Sequence, residues 1–197
     1  MLTAAKGVSN SGLVVGFYSV HGNGFPPHGF EYNAGSFTPI AFPGAYLTDG
    51  VFGINNSGTA VGVYEPQRGS LENGFVYSGG SFAAFNVPSA ILTEPFAIND
   101  SGWIVGFYDD AKGNGHGFLY NGVSFSTLDF PGAILSQADG INNAHIHVFE
   151  EHSVAALKAG IVVEEESVTG GLGVSLGNQH TELGLLTEAI AQQIFFG

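Results

Sequence analysis

The densest group of potential metal ligands runs from His145 through His147, Glu150 and Glu151 to His152. On a strand, His145 and His147 would point the same way, and an imidazole–carboxylate set of this kind suits a divalent ion such as zinc. A divalent metal held by His145, His147, Glu151 and His152 is therefore the one cofactor expectation. The spacing matches no diagnostic zinc motif, and an exposed polar junction is the plainer reading.

Carboxylates offer a second chemistry. Glu94, Asp109 and Asp139 are candidates for one loop-bearing face, and a retaining glycosidase needs two carboxyls about 5 Å apart. Nothing in their spacing brings a particular pair together. The run Asp109-Asp110-Ala111-Lys112-Gly113-Asn114-Gly115 has the oxygens and glycines of a calcium loop but lacks its closing bidentate glutamate, so it reads as a solvated turn. Gly171-Leu172-Gly173 is not followed by the βαβ unit and ribose-binding acid of a dinucleotide site. Neither that site nor a serine hydrolase is expected, and no catalytic residue is assigned.

The elements that would position these groups are repeated. Asn10-Ser11-Gly12, Asn56-Ser57-Gly58 and Asp100-Ser101-Gly102 are each followed by a glycine (Gly16, Gly62, Gly106) and a tyrosine (Tyr18, Tyr64, Tyr108) at fixed distances. Then come His28-Gly29-Phe30, Asn73-Gly74-Phe75 and His116-Gly117-Phe118, with Tyr32, Tyr77 and Tyr120, then Ser36-Phe37, Ser81-Phe82 and Ser124-Phe125, and finally Pro43, Pro88 and Pro131. A fourth copy opens at Gly140-Ile141-Asn142-Asn143. Length changes fall after each tyrosine of the first block and between each proline and the next Asn-Ser-Gly. Both places are expected to be surface loops. His28 and His116 occupy one repeat position with Asn73, which favours a hydrogen-bonding role in the repeat over a ligand ring.

Asn-Ser-Gly is turn chemistry, while Leu13–Tyr18, Gly29–Tyr32, Ser36–Ile40 and the residues before each Asn-Ser-Gly read as short strands. Four strands per unit of 40–45 residues is the size of a propeller blade. The expected units are residues 7–52, 53–96 and 97–139, with the start of a fourth up to 144. The expected fold is all-β, with tandem four-stranded, β-propeller-like repeats that dimerisation would complete. A β-trefoil or β-prism is the alternative.

Pro and Tyr do not occur after Ala144. The extension 145–197 is expected to be a small α/β piece: a helix over 154–159, a strand at Ile161–Val163, and a helix from Thr181 with Leu183, Leu186, Ile190 and Ile194 on one face.

The 197 residues are 44% hydrophobic and 11% charged, with 31 glycines and no cysteine. A net charge of −13 repels phosphate backbones and anionic lipids, so nucleic acid is not an expected partner, whereas a carbohydrate or another extracellular ligand remains open. No apolar run is long enough to span a bilayer, and no signal peptide is visible; the chain reads as beginning inside a repeat.

The Asn-Ser-Gly turns, the His28-Gly29-Phe30 and His116-Gly117-Phe118 triplets and the Pro-Gly-Ala endings resemble the HAF family of extracellular repeats over residues 5–144. Glycine replaces the family's alanine in the triplet, and Asn73-Gly74-Phe75 departs further. The resemblance implies an exported bacterial protein with propeller-like repeats, extracellular or at the cell surface, and supplies no catalytic residue. The preferred expectation is a non-catalytic surface, matrix or ligand-recognition module, with a homo-oligomer as one form. The alternatives are a propeller-type carbohydrate-active enzyme and metal binding through His145–His152.

Overall fold

Runs of Val, Ile, Phe and Tyr too short for helices, separated by Gly, Asn and Pro corners, favour antiparallel strands. A computed structural model of the chain describes residues 2–19, 27–144, 147–151, 161–164 and 173–176. The first sheet is a meander of β1 (Leu2–Val8), β2 (Val14–Ser19), β3 (His28–Asn33) and β4 (Ser36–Ile40). The second repeats it with β5 (Leu47–Ile54), β6 (Ala60–Glu65), β7 (Asn73–Ser78) and β8 (Ser81–Phe85). The third does so with β9 (Leu92–Ile98), β10 (Ile104–Asp109), β11 (Gly115–Tyr120) and β12 (Phe125–Leu128). A fourth unit opens with β13 (Ser136–Ile141), which packs on the third sheet and pairs with β14 (His147–Glu151). The expected strand at 161–163 is present as β15 (Ile161–Glu164), paired with β16 (Gly173–Leu176). The helices expected at 154–159 and from Thr181 lie outside the described residues. The described chain is all-β and built of four-stranded repeats.

Consecutive sheets stack face to face. Val15 and Ile40 of the first sheet meet Val51, Ile54, Ala60, Tyr64 and Phe75 of the second. Val61 of the second, with Val87 from the loop that follows it, meets Ile98, Ile104 and Phe118 of the third. Phe42, from the loop leaving the first sheet, lies flat on Tyr64 with ring centroids 3.9 Å apart.

The recurring glycine of the second strand is required by this packing. The first strand of each sheet bulges and brings a carbonyl over that glycine. A Cβ on Gly62 would strike the Gly50 carbonyl and the Phe75 ring, and the same clash arises at Gly16 and Gly106. The second site of length variation is not a loop, as the repeat comparison suggested. The extra residue of the second copy sits inside β5, where the pairing shifts between Leu47 and Gly50. A bulge on an edge strand absorbs it without moving the sheet behind.

Each proline corner, Pro-Gly-Ala in the first and third copies and Pro-Ser-Ala in the second, is a type II turn. Pro43, Pro88 and Pro131 set the first central residue, and Gly44, Ser89 and Gly132 take positive φ of 79°, 67° and 82°. A buried hydroxyl five residues after each proline holds the corner. Phe42 N–H donates to Thr48 Oγ1 at 2.7 Å, Val87 N–H to Thr93 Oγ1 at 3.2 Å, and Phe130 N–H to Ser136 Oγ at 2.9 Å.

At the other end of the strands an asparagine ladder ties the sheets together. Asn55 is buried; its Oδ1 accepts the N–H groups of Ser57 and Thr59, and its Nδ2 donates to the carbonyl of Asn99 at 3.1 Å. Asn99 does the same one unit on, accepting from Ser101 and Trp103 and donating to the carbonyl of Asn142 at 3.1 Å. A parallel outer rail runs through the next residue: Asn10 N–H to Asn56 Oδ1, Asn56 N–H to Asp100 Oδ1, and Asp100 N–H to Asn143 Oδ1.

Three substitutions check this account. We expect Gly62→Ala to destabilise the protein by about 2 kcal/mol, through overpacking against backbone, read from urea unfolding. We expect Asn55→Ala to cost about 3 kcal/mol, because buried N–H groups and a carbonyl lose their partners together. Asn55→Asp, which keeps the acceptor and loses the donor, should recover part of that loss.

Candidate functional site

The stack has two unlike ends. One carries the Asn-Ser-Gly turns and the ladder. The other carries the loops after the second strands (residues 66–72 and 110–114) and the proline corners.

At this loop end five carboxylates from different strand ends converge. In β5 and β9 the buried hydroxyls of Thr48 and Thr93 face inward, so Asp49 and Glu94, next in the chain, turn to the opposite side. Glu65 closes β6, Glu72 immediately precedes β7, and Asp109 closes β10. Glu94 hydrogen-bonds to Glu72, which requires a proton on one of the two carboxyls. Burial, then the bond to Glu72 and the charges of Glu72, Asp109 and Asp49, push Glu94 up to about 8. Burial, with Glu72 and Glu65 beside it, pushes Asp49 up to about 7, and Asp49 Oδ2 is buried without a hydrogen-bond partner. The sequence candidates Glu94 and Asp109 are thus neighbours. Asp139 is not with them; it lies on β13, where its Oδ1 accepts from Gln137 Nε2 at 2.6 Å.

Beside this cluster, between the third sheet and β13, lies an open depression of about 390 Å³ lined by Asn114, Gly115, His116, Asp129, Ala133, Ile134 and Ser136. A parallel bridge between Gly115 and Leu135 joins its two walls. His116 Nδ1 is 2.7 Å from Asp129 Oδ2, its Nε2 is 3.7 Å from Asp110 Oδ2, and its ring stacks on Tyr108 at 5.1 Å. Asp110 shapes the adjoining turn by accepting from the N–H groups of Asn114 and Lys112 and from Asn114 Nδ2, and those bonds hold its carboxyl down to about 2. The loop read as a solvated turn is therefore closed on itself by one aspartate. His28 sits against Tyr18 as His116 sits against Tyr108, each across a strand pair. Depression and cluster can donate to and accept from hydroxyl or amino groups. Ser136, the hydroxyl lining the depression, is buried and engaged by Phe130 N–H.

Of the expected metal ligands, His147 and Glu151 lie on β14, paired with Ile141 and Ser136, while His145 and His152 lie outside the described residues. Among the described residues no three His, Asp or Glu side chains converge on a metal position. The sequence also contains Gly173-Val174-Ser175-Leu176-Gly177, the spacing of a hydrolase nucleophile elbow, which needs its serine on a sharp strand-to-helix turn. Ser175 instead sits within β16, opposite Val162. Among the described residues no helix is long and apolar enough to cross a membrane.

Sequence reasoning missed Asp49, Glu65 and Glu72, although Asp49 shares the repeat position of Glu94 and Glu65 that of Asp109. It also missed Thr48, Thr93 and Ser136, whose constant distance from the prolines was a usable signal. Neither a known family model nor a curated protein matches the chain.

The raised carboxyls set a pH dependence. The folded chain holds these protons more tightly than the unfolded one, so stability falls as pH rises from about 4 through about 8. We expect Glu94→Gln to flatten that slope in thermal melts. It should also raise stability at pH 8.5 by about 1 kcal/mol, the groups being partly solvated and their mutual repulsion screened.

Proposed function

We propose that the chain is an exported, non-catalytic β-repeat module that recognises a neutral or cationic carbohydrate at the loop end of its stack. One observation carries the reading. The asparagine ladder that ties the sheets together occupies one end, while loops that differ between copies, with the depression and the carboxylates, gather at the other. A rigid scaffold that concentrates its variation in loops at one end suits recognition. The depression sets Asn114, His116 and Asp129 beside exposed Ile134, a mixture suited to the hydroxyls and apolar faces of a sugar. The net charge of −13 disfavours anionic ligands. The likeness to HAF-type repeats supports export and a propeller-like array.

Calorimetric titration with neutral and amino-sugar oligosaccharides checks this reading. We expect binding that Ile134→Ser and His116→Ala each weaken about tenfold, with no heat from uronic-acid oligomers. Absence of binding to every neutral and cationic saccharide at millimolar concentration would overturn it.

A second reading, a carbohydrate-active enzyme, is favoured by one feature: Glu94 holds a proton beside Glu72, as a general acid must. Release of reducing ends from a polysaccharide, abolished in Glu94→Gln, would establish it over the first.

A further inference from the structure

The proline corners turn one apolar side chain outward at every junction between units. Tyr46, Ile91 and Ile134 each stand three residues after a corner proline, and they are 50%, 44% and 79% exposed. Ala45 and Ala90, the residues just before, pack against the two inter-sheet cores, so the corner itself directs Tyr46 and Ile91 away from them. The backbone sets both beside an acid: Tyr46 N–H donates to the Glu65 carbonyl at 2.9 Å, and Ile91 N–H to the Asp109 carbonyl at 2.9 Å. Leu71, 52% exposed, adds an apolar group from the loop before β7. Exposed apolar residues scattered singly are ordinary, but a row placed by the repeat at one end of the stack forms a patch.

The row continues the depression already described. Ile134 lines it, Ile91 stands at the corner one unit back, and Tyr46 at the corner before that. Stacked sheets lie about 10 Å apart, so a ligand that touches successive corners is a chain and not a single sugar. Its charge is set by the carboxylates along the row, Asp49 and Glu94 each following a corner and Glu65 and Asp109 each closing a strand. Among the described residues no Lys or Arg pairs with them. A cation here would meet uncompensated negative charge and take the place of the protons that Asp49 and Glu94 retain. Apolar contact and positive charge are thus asked of one ligand, and asked again at the next unit. A polysaccharide presents the same ring face and the same substituent along its whole length, whereas a peptide does so only where its sequence repeats.

We infer that the loop end binds an amino-sugar polymer lying across the corners of Tyr46, Ile91 and Ile134, with sugar faces on those side chains and ammonium groups beside the carboxylates. This rests on the reading of the loop end as a carbohydrate site, and adds the ligand's charge, its length and the path it follows. The depression takes a sugar at one end of that path, and Tyr46 offers an aromatic face to a ring at the other. Each contact is weak alone, and linkage within one ligand chain multiplies them.

Calorimetric titration of the full chain with chitosan oligomers of two, four and six sugars, and with their fully N-acetylated counterparts, tests this. Affinity should rise about 100-fold from the shortest chitosan oligomer to the longest, the gain expected of linked contacts. The longest should bind about tenfold more tightly than its acetylated counterpart, and added salt should narrow that difference. Tyr46→Ser and Ile91→Ser should each weaken the six-sugar oligomer about tenfold with the far-ultraviolet spectrum unchanged. Val123→Ser, in an exposed hairpin turn at the ladder end, should leave it as it was. Equal affinity for two and six sugars, or indifference to both corner substitutions, overturns the inference and leaves the depression as a site for short saccharides. Equal affinity for the acetylated series overturns it too, since the ammonium groups then contribute nothing. Oligolysine that binds as tightly, and is weakened by the same substitutions, overturns it in favour of a basic peptide. If no saccharide of either series binds, the carbohydrate reading itself falls with it.

Discussion

The buried carboxamides at the first corners of the second and third units, Asn55 and Asn99, are the constraint on which the rest of the array depends. Asn55 and Asn99 each occupy a site where several backbone groups lack a strand partner, and one side chain supplies an acceptor to its own turn and a donor to the next. The same side chain therefore fixes the shape of a hairpin and the distance to its neighbour. Serine or aspartate could serve the turn but would not donate across the gap. With that spacing, the glycine beneath each bulge lies where a Cβ would strike a carbonyl of the first strand and a phenylalanine ring.

The opposite end is organised by a different balance. There the strand termini carry carboxylates with few cations nearby, the four Lys and Arg being outnumbered by 17 acids. Among the described residues no Lys or Arg pairs with this cluster, so burial and mutual repulsion favour the protonated carboxyls, Glu94 above all. A scaffold held by neutral hydrogen bonds at one end tolerates such electrostatic tension at the other.

Much of the fold was legible because sequence and structure repeat together. Tyr18, Tyr64 and Tyr108, or Phe30, Phe75 and Phe118, occur at fixed distances because they occupy equivalent places on successive strands. The phase was harder to see. The strand before each Asn-Ser-Gly turn hydrogen-bonds forward across it, so each sheet begins some residues before the sequence unit that names it. The ladder was half visible: Asn-Ser-Gly announces a turn, but a bond from Asn55 to a carbonyl 44 residues away has no local trace. The carboxylate cluster left a partial one, Asp49 and Glu94 each following a corner threonine and Glu65 and Asp109 each following a repeat tyrosine, but their convergence with Glu72 appears only once the sheets are stacked. The extra residue of β5 was visible as a length change, yet bulge and loop look alike in a sequence.

The ladder is not uniform along the array. Between second and third units, Asn55 and Asn56 both reach across, with Asn56 Nδ2 also donating to Asp100 Oδ2, and the third meets the fourth in similar strength through Asn99 and Asn143. The first unit has Ser9 where the others have asparagine; its hydroxyl stays within its own turn, and among the described residues the Asn10 N–H is the only rung of the ladder that crosses to the second unit. In an array whose cohesion is a sum of nearest-neighbour terms, such a seam is where opening starts. Under a pulling force or a fluctuation the leading sheet would peel away as a unit, while the middle of the array holds its shape.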